Sequence, residues 1–406
     1  MIETNFKHTD IGPIPHDWEV KRTVDLFDIN AAGDLMRDNY SEVKTSCHIY
    51  PIYSNSNIDK GLYGYTSSPR YRKNSFTITG RGNLGIAEYR NTDFDAIIRL
   101  LVLSPKKGAS SLFYSYYTNF AHPYEGSATS IPQLPIPNVA KGLIPVPPVG
   151  EQEAIGKALS DIDGLIEGLR KLIEKKRNIK QGAMSRLLSG SLRLPGFNKP
   201  WVTRTLGEIG HLIPNNSLSW EYLTNSGKVA NIHYGHILTR FGAIVDVSYT
   251  QLPYVEKNSE ARFLKGNMAN DGDIIFADTA EDDTVGKAIE LINIGDKHIV
   301  SGLHTFWFRP DVEFAHSFLG YAVNGEAFHS QIPLLATGTK VSSISKPNLL
   351  KLELHYPTDL AEQSAIAKVL TDMDAEIEGL EKKFAKYEQV KQGMMKQLLT
   401  GKIRLI

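Results

Sequence analysis

The sequence predicts an α+β chain in which two globular domains of mixed strands and helices are separated by two long helices. Three observations predict it. The segment from Glu151 to Gly190 recurs, 211 positions later, from Glu362 to Gly401. Both copies carry a heptad pattern of apolar residues. Before each copy, short β-branched or aromatic runs alternate with Gly, Asn, Pro and Ser clusters, which is typical of strands with long loops.

The order along the chain is therefore domain, helix, domain, helix. We predict a first domain at residues 1–148, a central helical spacer at 149–194, a second domain at 195–356 and a C-terminal helical spacer at 357–406. Prolines precede both helix starts, and Gly190 and Gly401 mark both ends. Each helix of about 38 residues would be roughly 57 Å long at about 1.5 Å per residue.

The globular parts contain four runs that we predict to be strands and one segment that we predict to be a helix. The predicted strands are Phe76–Thr79, Ala96–Leu103, Asp273–Ala277 and His304–Phe308. The predicted helix, Phe314–Asn324, would pack on them.

The heptad pattern predicts a seam along each long helix, which neither helix can bury alone. The helix-pairing residues are Ile155, Leu159, Ile162, Ile166 and Leu169 in the first copy, and Ile366, Leu370, Met373, Ile377 and Leu380 in the second. A bundle helix or a zipper between two chains would show the same pattern. Two matched copies in one chain favour an intramolecular antiparallel coiled coil, with pseudo-two-fold symmetry between the halves.

Composition excludes several classes of protein. Hydrophobic residues make up 41% and charged residues 22% of the chain, as in an ordinary globular protein. No run approaches the roughly 18 apolar residues of a membrane span, so no membrane partner is expected. The first residues lack a secretory signal, and Cys47 is the single cysteine. We therefore expect a cytoplasmic protein without disulfides or thiolate zinc sites.

The formal net charge is zero, and no segment forms a basic tail. Residues 151–194 hold 9 basic and 6 acidic residues, a local charge of +3, whereas residues 195–356 hold 13 basic and 17 acidic residues, a local charge of −4. Neutralising phosphate supplies most non-specific affinity for nucleic acid. Any DNA binding must therefore come from local patches or from a partner.

The best candidate patch lies between Lys60 and Ala87, where no acidic residue occurs. Its basic groups suit phosphates and guanine edges, and its amides suit adenine. The candidate DNA-binding residues here are Tyr63, Tyr65, Arg70, Arg72, Lys73, Arg81 and Asn83. The alternative interpretation is a solvated loop whose aromatic residues support the core.

Glycine and small hydroxyl residues occur together in both halves, at Gly126–Ser130 and Gly338–Ser343. Such segments allow the backbone to approach phosphate closely, although a polar turn has the same composition. The candidate DNA-binding residues there are Ser127, Thr129, Thr339, Lys340 and Ser342. His233 and Arg240, in and after the segment Asn231–His236, are weaker candidates.

Motifs that could indicate an enzyme lack the neighbouring elements and residues that such a site requires. Gly80–Gly85 matches G-x-G-x-x-G after a predicted strand, but a turn and another strand follow where a dinucleotide-binding fold needs a helix. The acidic residues around Asp278 have no catalytic lysine or histidine at recognisable spacing, so we interpret them as a solvated loop. We find no phosphate-binding loop and no adenine methyltransferase motif. The sequence predicts no catalytic site, no cofactor and no metal site.

Along its whole length the chain resembles the specificity subunits of Type I restriction-modification systems. The likeness is strongest in the helical repeats, where Ile144–Pro148 leads into Glu151–Ile155 and the copy closes at Arg186–Gly190. Further similar segments are the openings at Trp18 and Trp201 and the run Gly272–Ala277.

The resemblance implies two target-recognition domains, each reading one part of a split double-stranded DNA site. It also implies methyltransferase partners, two per chain given two matched helices, and ATP-dependent restriction subunits. The chain would then be a non-catalytic specificity subunit. Two alternatives stay open: a recognition subunit of another, Type II-like modification system, and a coiled-coil protein–protein scaffold.

Overall fold

The structure, a computed structural model, describes residues 5–127, 132–282, 284–338 and 341–406. The chain divides into two compact units: unit 1 comprises Met1–Lys171 with Lys382–Ile406, and unit 2 comprises Leu172–Glu381. Each unit thus contains one globular part and one segment of each long helix. This mixture of strands and helices with two long helices is the predicted fold class.

The first globular part contains eleven strands and three α-helices among its described residues. The strands are β1 (Phe6–Thr9), β2 (Gly12–Pro15), β3 (Glu19–Arg22), β4 (Phe27–Ala31), β5 (Tyr50–Tyr53), β6 (Leu62–Thr66), β7 (Ser75–Ile78), β8 (Ala87–Arg90), β9 (Asp95–Ala96), β10 (Leu101–Pro105) and β11 (Leu143–Val146). The helices are α1 (Thr23–Leu26), α2 (Ser111–Ala121) and α3 (Ile136–Lys141).

Two sheets form the body of this part. One has the order β4-β10-β7-β8, and the other has the order β6-β5-β9, in which β5 and β9 are parallel. Helix α2 covers the first sheet because its apolar face, including Phe113 and Tyr114, is buried against Phe27 and Phe76. Strand β3 pairs with β11, directly before the first long helix.

The predicted strand Ala96–Leu103 is wrong as a single element. Strand β9 ends at Ala96, a turn places Ile98 and Arg99 at φ of 55°, and β10 begins at Leu101. The two strands belong to different sheets. Apart from Arg99 the run is apolar, although Ile98 in the turn is 48% exposed, so its composition does not reveal the turn.

Helix α4 (Val149–Leu188) follows, and after it the second globular part repeats the plan of the first. Its strands are β12 (Trp201–Thr205), β13 (Gly210–Ile213), β14 (Leu223–Thr224), β15 (Val229–Ile232), β16 (Ile244–Asp246), β17 (Tyr254–Val255), β18 (Ile274–Ala277), β19 (Thr279–Ala280), β20 (Ala288–Ile292), β21 (His298–Ser301), β22 (Thr305–Pro310), β23 (Ser342–Ser343) and β24 (Glu353–Pro357). Its helices are α5 (Leu206–Ile209), α6 (Tyr234–Thr239), α7 (Phe318–Asn324), α8 (Glu326–His329), α9 (Ile332–Leu335) and α10 (Lys346–Leu350), and α11 (Leu360–Leu398) follows them.

The sheet order β13-β22-β18-β20-β16 corresponds to β4-β10-β7-β8 with one strand added at the edge. In the order β14-β17-β15-β21, strands β15 and β21 are parallel, like β5 and β9. Even a side-chain contact repeats, since Asn119 of α2 bonds both backbone groups of Ala87, and Asn324 of α7 does the same to Ala288. The predicted helix Phe314–Asn324 begins later than expected, at Phe318.

The two long helices end where the sequence predicts, just before a glycine. Helix α4 has 40 residues and α11 has 39, and Gly190 and Gly401 follow them with φ of 71° and 68°, the left-handed conformation that ends a helix with glycine. At each start a buried glutamine anchors the helix. Gln152 donates to Pro147 O and accepts from Ser110 N, and Gln363 makes the equivalent bonds to Pro357 and Ala315.

Within unit 1 the segments of α4 and α11 run antiparallel. Lys391 of α11 lies 2.6 Å from Asp163 of α4, and Arg404, beyond the end of α11, reaches Glu151 at the start of α4. Asp163 also accepts a hydrogen bond from the Tyr116 hydroxyl at 2.7 Å. Burial of that hydroxyl beside the carboxylate raises the pKa of Tyr116, so it stays a donor.

Unit 2 contains the same contacts, with its ion-pair residues 211 positions from their counterparts in unit 1. Lys180 of α4 pairs with Asp374 of α11, and Asp374 accepts from the Tyr321 hydroxyl at 2.7 Å. Arg193, beyond the end of α4, pairs with Glu362 at the start of α11. The helical segments are therefore antiparallel in this unit as well.

The seam residues differ in what covers them. Ile155 and Leu159 belong to the core of the first globular part, together with Leu398 of α11, and Ile366 and Leu370 belong to that of the second. Farther along the helices Ile162, Ile166 and Ile377 are buried, whereas Leu169, Met373 and Leu380 are only half-buried. The ends of each seam thus hold the helices to the globular parts.

Candidate nucleic-acid interface

In unit 1, two loops from the sequence-predicted DNA-binding segments meet at one edge of the four-stranded sheet. The first is the hairpin loop 79–86 between β7 and β8, and the second contributes Ser127, Gln133 and Leu134. Arg81 forms an isolated β-bridge with Gln133, and Gly80 O accepts from Leu134 N at 3.0 Å. Ser127 also bridges to Gln133. We call this arrangement corner 1; Arg81 and Ser127, 46 positions apart in sequence, thus share it.

Unit 2 has the same arrangement, which we call corner 2. The loop 278–287 between β18 and β20 contains β19, which pairs with β23, so that Ala280 lies opposite Ser342. Thr337 bridges to Ser343, and Ile344 N donates to Asp278 O at 3.0 Å. Of the predicted site residues, Ser342 lies in this corner. Thr129, Thr339 and Lys340 lie outside the described residues.

The loop of corner 1 has the conformation of a tight hairpin and not of a dinucleotide-binding turn, because strand β8 follows it directly. Gly82 and Gly85 have φ of 72° and 82°. The Thr79 hydroxyl donates to Asn83 O and accepts from Ile86 N. The side chain of Asn83 is exposed, at the tip of a loop whose backbone is fixed.

Arg81 is half-buried, and its Nε has no hydrogen-bond partner among the described residues. A buried donor without a partner is costly, so an external acceptor would stabilise this side chain. Beneath it, Asn55 fixes the loop, because its Oδ1 accepts from Gly80 N at 2.8 Å and its Nδ2 donates to Ile98 O. The Asn55 amide is therefore occupied inside the fold.

Two other arginines of the first patch, Arg70 and Arg72, are engaged in ion pairs. Arg70 lies 2.6 Å from the buried Asp95 and donates to Ala96 O. Arg72 lies 2.9 Å from Asp93, which also accepts from Lys73 N. The patch is free of acids in sequence, but the turn after β8 brings both aspartates to it.

Tyr63 and Tyr65 lie on β6. Tyr63 is 44% exposed, with its ring 5.7 Å from that of Tyr40, whereas Tyr65 is half-buried and its backbone pairs with Ser41. Tyr63 is thus the aromatic residue of this patch that is open to a ligand.

In unit 2, His233 is buried at the start of α6, where its Nδ1 accepts from Gly235 N at 3.2 Å. Arg240 is exposed, and one of its guanidinium nitrogens donates to Gln251 O. The ring of Trp220 lies against His233. Sequence reasoning missed Trp220, although a tryptophan in the polar stretch Asn215–Tyr222 is itself a signal of an exposed aromatic group.

Two aspartates in the acidic loop of corner 2 have hydrogen-bond partners within the fold. Asp278 lies 3.3 Å from His304, and burial raises the pKa of the Asp278 carboxyl. Asp282 accepts hydrogen bonds from the Thr284 hydroxyl and from Thr284 N, and these bonds lower the pKa of Asp282. Within the described ranges, no group of three or more His, Cys, Asp or Glu side chains is placed to hold a metal ion. None of the described helices is long and apolar enough to cross a bilayer.

Comparison with known proteins gives the class to which this duplicated architecture belongs. The model of the Type I restriction modification DNA specificity domain matches residues 15–175 and 198–392. The chain therefore belongs to this family, that of the DNA specificity subunits of type I restriction-modification systems. Of the three hypotheses drawn from the sequence, the family favours the first over the Type II-like subunit and the scaffold.

Two relatives come from Methanocaldococcus jannaschii. The chain is 27% identical over 448 residues to a protein that carries the name of the MjaX type I restriction enzyme specificity subunit, covering 99% of this chain and 97% of that one. It is 28% identical over 292 residues to the MjaVIII specificity subunit, covering 66% of this chain and 65% of that one.

Two solved structures have the same fold. The S subunit of a type I system from M. genitalium superposes with a TM-score of 0.62 at 15% identity, covering 98% of this chain and 99% of that one. A chain from a structural study of assembly of the type I restriction-modification system gives a TM-score of 0.52 at 16% identity, covering 96% and 99%.

Proposed function

We propose that each unit contacts one half of a split site in double-stranded DNA through its corner, formed by loop 79–86 with Ser127 and Gln133 in unit 1 and by the loop after β18 with Thr337, Ser342 and Ser343 in unit 2. The observation that carries the proposal is the duplication itself. The two corners occupy the same position in two corresponding sheets, while their side chains differ. A common frame with different side chains suits two different half-sites.

Corner 1 has the chemistry of base recognition. Arg81 supplies a guanidinium that suits the guanine edge, and the exposed Asn83 supplies an amide that suits adenine. Ser127 and the glycines permit contact with phosphate. A neutral chain gains little from long-range attraction to DNA, so recognition would depend on these local contacts and on charge from a partner.

We further propose that the chain is non-catalytic and acts in the cytoplasm with two methyltransferase subunits and with ATP-dependent restriction subunits. The repeated helix contacts, Lys391 with Asp163 and Lys180 with Asp374, support two equivalent docking surfaces. In unit 1 a groove of about 1600 Å³ lies between α2, β8 and the two helical segments. Its charged lining, including Glu167 and Arg170, suits a polar protein partner.

The test is to produce the chain with its methyltransferase subunit and to map methylated positions by sequencing. We expect two short specific sequences separated by a fixed unspecific gap. Replacing the side chains of residues 81–84 should change only one of the two sequences, and replacing those of residues 281–284 should change only the other. A single continuous motif, or methylation by the chain without its partner, would contradict the proposal.

A further inference from the structure

Trp220 is an exposed tryptophan in unit 2. It begins a 3-10 helix, Trp220–Tyr222, and 52% of its surface is exposed. By contrast, Trp18 and Trp307 are completely or almost completely buried. Tryptophan is among the side chains that bury the most apolar area when covered, so an exposed indole on a fixed support can bind a flat aromatic group.

Two histidine rings support the exposed indole, and we call Trp220 with His233 and His236 the aromatic platform. The His236 ring lies parallel to it, with centroids 4.1 Å apart and 14° between the planes, and the His233 ring meets it edge-on at 5.4 Å. A Cβ atom at Gly235 would lie 3.1 Å from the indole, so a larger residue there would crowd the stack. One face of the indole is thus covered and held, and the exposed surface lies elsewhere on the ring.

The platform is uncharged near neutral pH. Burial, together with the nearby His233 and Arg240, lowers the pKa of His236 to about 4, and burial also lowers the pKa of His233. The Nδ1 atom of His236 has no hydrogen-bond partner among the described residues. With one neutral imidazole stacked on it and another at its edge, the indole forms an aromatic surface that favours another flat aromatic group.

A chain of contacts joins this platform to corner 2. Next to His233, the Tyr234 ring lies 5.3 Å from that of His304. The His304 ring bonds Asp278, whose backbone oxygen accepts from Ile344 N in corner 2. Trp220 therefore belongs to the same region of unit 2 as the proposed DNA contacts.

Unit 1 has no such platform at the corresponding place in its described residues. There strand β5 is followed by Ser54 and Asn55, and the Asn55 amide is bonded to Gly80 and Ile98. The platform is thus a property of one half of the chain, and its effect should be confined to one half-site.

We propose that Trp220, supported by His236, stacks on an unpaired base within the half-site contacted by unit 2. This inference rests on the proposed function. Methylation of a DNA base requires the target base to leave the helix, which unstacks its neighbours and leaves its partner unpaired. Aromatic side chains bind such bases by stacking, and at about 1–3 kcal/mol per base this corresponds to roughly five- to hundredfold in affinity.

The experiment uses the complete complex with its methyltransferase subunit and a duplex containing the mapped target. The variants are Trp220→Ala and Trp220→Phe, with Tyr249→Ala as a control because Tyr249 is an exposed aromatic residue of the same unit at 78% exposure. We expect Trp220→Ala to weaken binding about tenfold, while Trp220→Phe retains most affinity and Tyr249→Ala leaves it unchanged. Unchanged thermal unfolding would show that the variants fold.

A fluorescent base analogue, 2-aminopurine, placed at successive positions of the half-site gives a direct signal. The wild-type complex should quench it at one position, and Trp220→Ala should not. Equal DNA affinity and equal quenching for wild type and Trp220→Ala would overturn the inference. Loss of methyltransferase from the complex at unchanged DNA affinity would instead show a protein-docking residue and overturn it too. Failure of the proposed function is distinguishable, because the wild-type complex would then show no preference for a split site.

Discussion

Arg404 holds the carboxylate of Glu151 with two hydrogen bonds, from Nε to Oε1 at 2.6 Å and from Nη2 to Oε2 at 2.8 Å. The Glu151 side chain is fully buried, and its Oε2 also accepts from the Trp18 indole at 3.0 Å. Arg404 further contacts Asp17. The C-terminal segment thereby fastens the start of α4 to the opening of the first globular part.

The first prediction is that Arg404→Ala strongly destabilises unit 1. Removing one partner of a buried ion pair leaves the Glu151 charge without compensation, which typically costs about 3–5 kcal/mol. Two carboxylates raise the pKa of Arg404, so the guanidinium is charged at any working pH. Urea unfolding of the full chain, with hydrogen exchange to localise the loss, measures the effect.

A matched control exists in the other unit. Arg193→Ala removes the equivalent partner of Glu362, so it should increase hydrogen exchange in unit 2 and leave the Trp18 region protected. An unchanged exchange pattern in unit 1 for Arg404→Ala would show that the ion pair contributes nothing to stability.

The second prediction concerns Glu290, which lies on β20 and is almost completely buried. Its carboxylate accepts from Ser317 N and Gly320 N, but burial outweighs these bonds and raises its pKa to about 7. The folded chain therefore binds this proton more tightly than the unfolded chain, in which a glutamate titrates near pH 4.3. This contribution to stability is complete below about pH 4 and is lost as the pH rises to about 7.

The expected loss is on the order of 3 kcal/mol, since each pKa unit corresponds to about 1.4 kcal/mol. Unfolding of the full chain in urea between pH 5 and 8 measures it, and Glu290→Gln, which does not titrate, should flatten the decline. Identical pH profiles for wild type and Glu290→Gln would refute the assignment to this carboxyl group.

The third prediction separates a DNA contact from a structural arginine. Arg81→Ala should reduce discrimination at one half-site by about 1–3 kcal/mol and leave stability nearly unchanged. Arg70→Ala should do the reverse: it leaves Asp95 buried without its ion pair, at a cost of roughly 2–3 kcal/mol because Arg70 itself is a third exposed. Competition binding of the complex with altered half-sites, beside thermal unfolding, gives both readouts. Equal effects of both changes on DNA discrimination would refute the distinction.

The sequence predicts best what is local and periodic. The 211-residue repeat and the heptad pattern predict both long helices, and the glycines at 190 and 401 predict their ends, because helix periodicity and C-capping depend on neighbouring residues. Corner 1 could be predicted in part from the sequence. Arg81 lies in the patch without acidic residues, and Ser127 lies in a segment of glycine and small hydroxyl residues.

The features that could not be predicted from the sequence depend on contacts between residues far apart along the chain. The aspartates that pair with Arg70 and Arg72 lie more than 20 positions away and arrive through the turn after β8. The stack of Trp220 on His236 spans 16 positions and two strands, β14 and β15. Neither contact follows a local periodicity, so composition alone mistakes paired arginines for free ones and overlooks the aromatic platform.

The last prediction tests how the helical seam stabilises unit 1. Leu159 is fully buried in a core shared by α4, Leu398 of α11 and the first globular part, whereas Leu165 on the same helix is 53% exposed. Leu159→Ala should therefore destabilise by about 2–5 kcal/mol, through lost burial and the cavity that remains. Leu165→Ala, with the same chemical change and similar helix propensity, should cost less than about 0.5 kcal/mol. The half-buried Leu380 of unit 2 should give an intermediate value. Urea unfolding of the three variants measures the order; if Leu165→Ala costs as much as Leu159→Ala, helix propensity and not the shared core determines the stability of this segment.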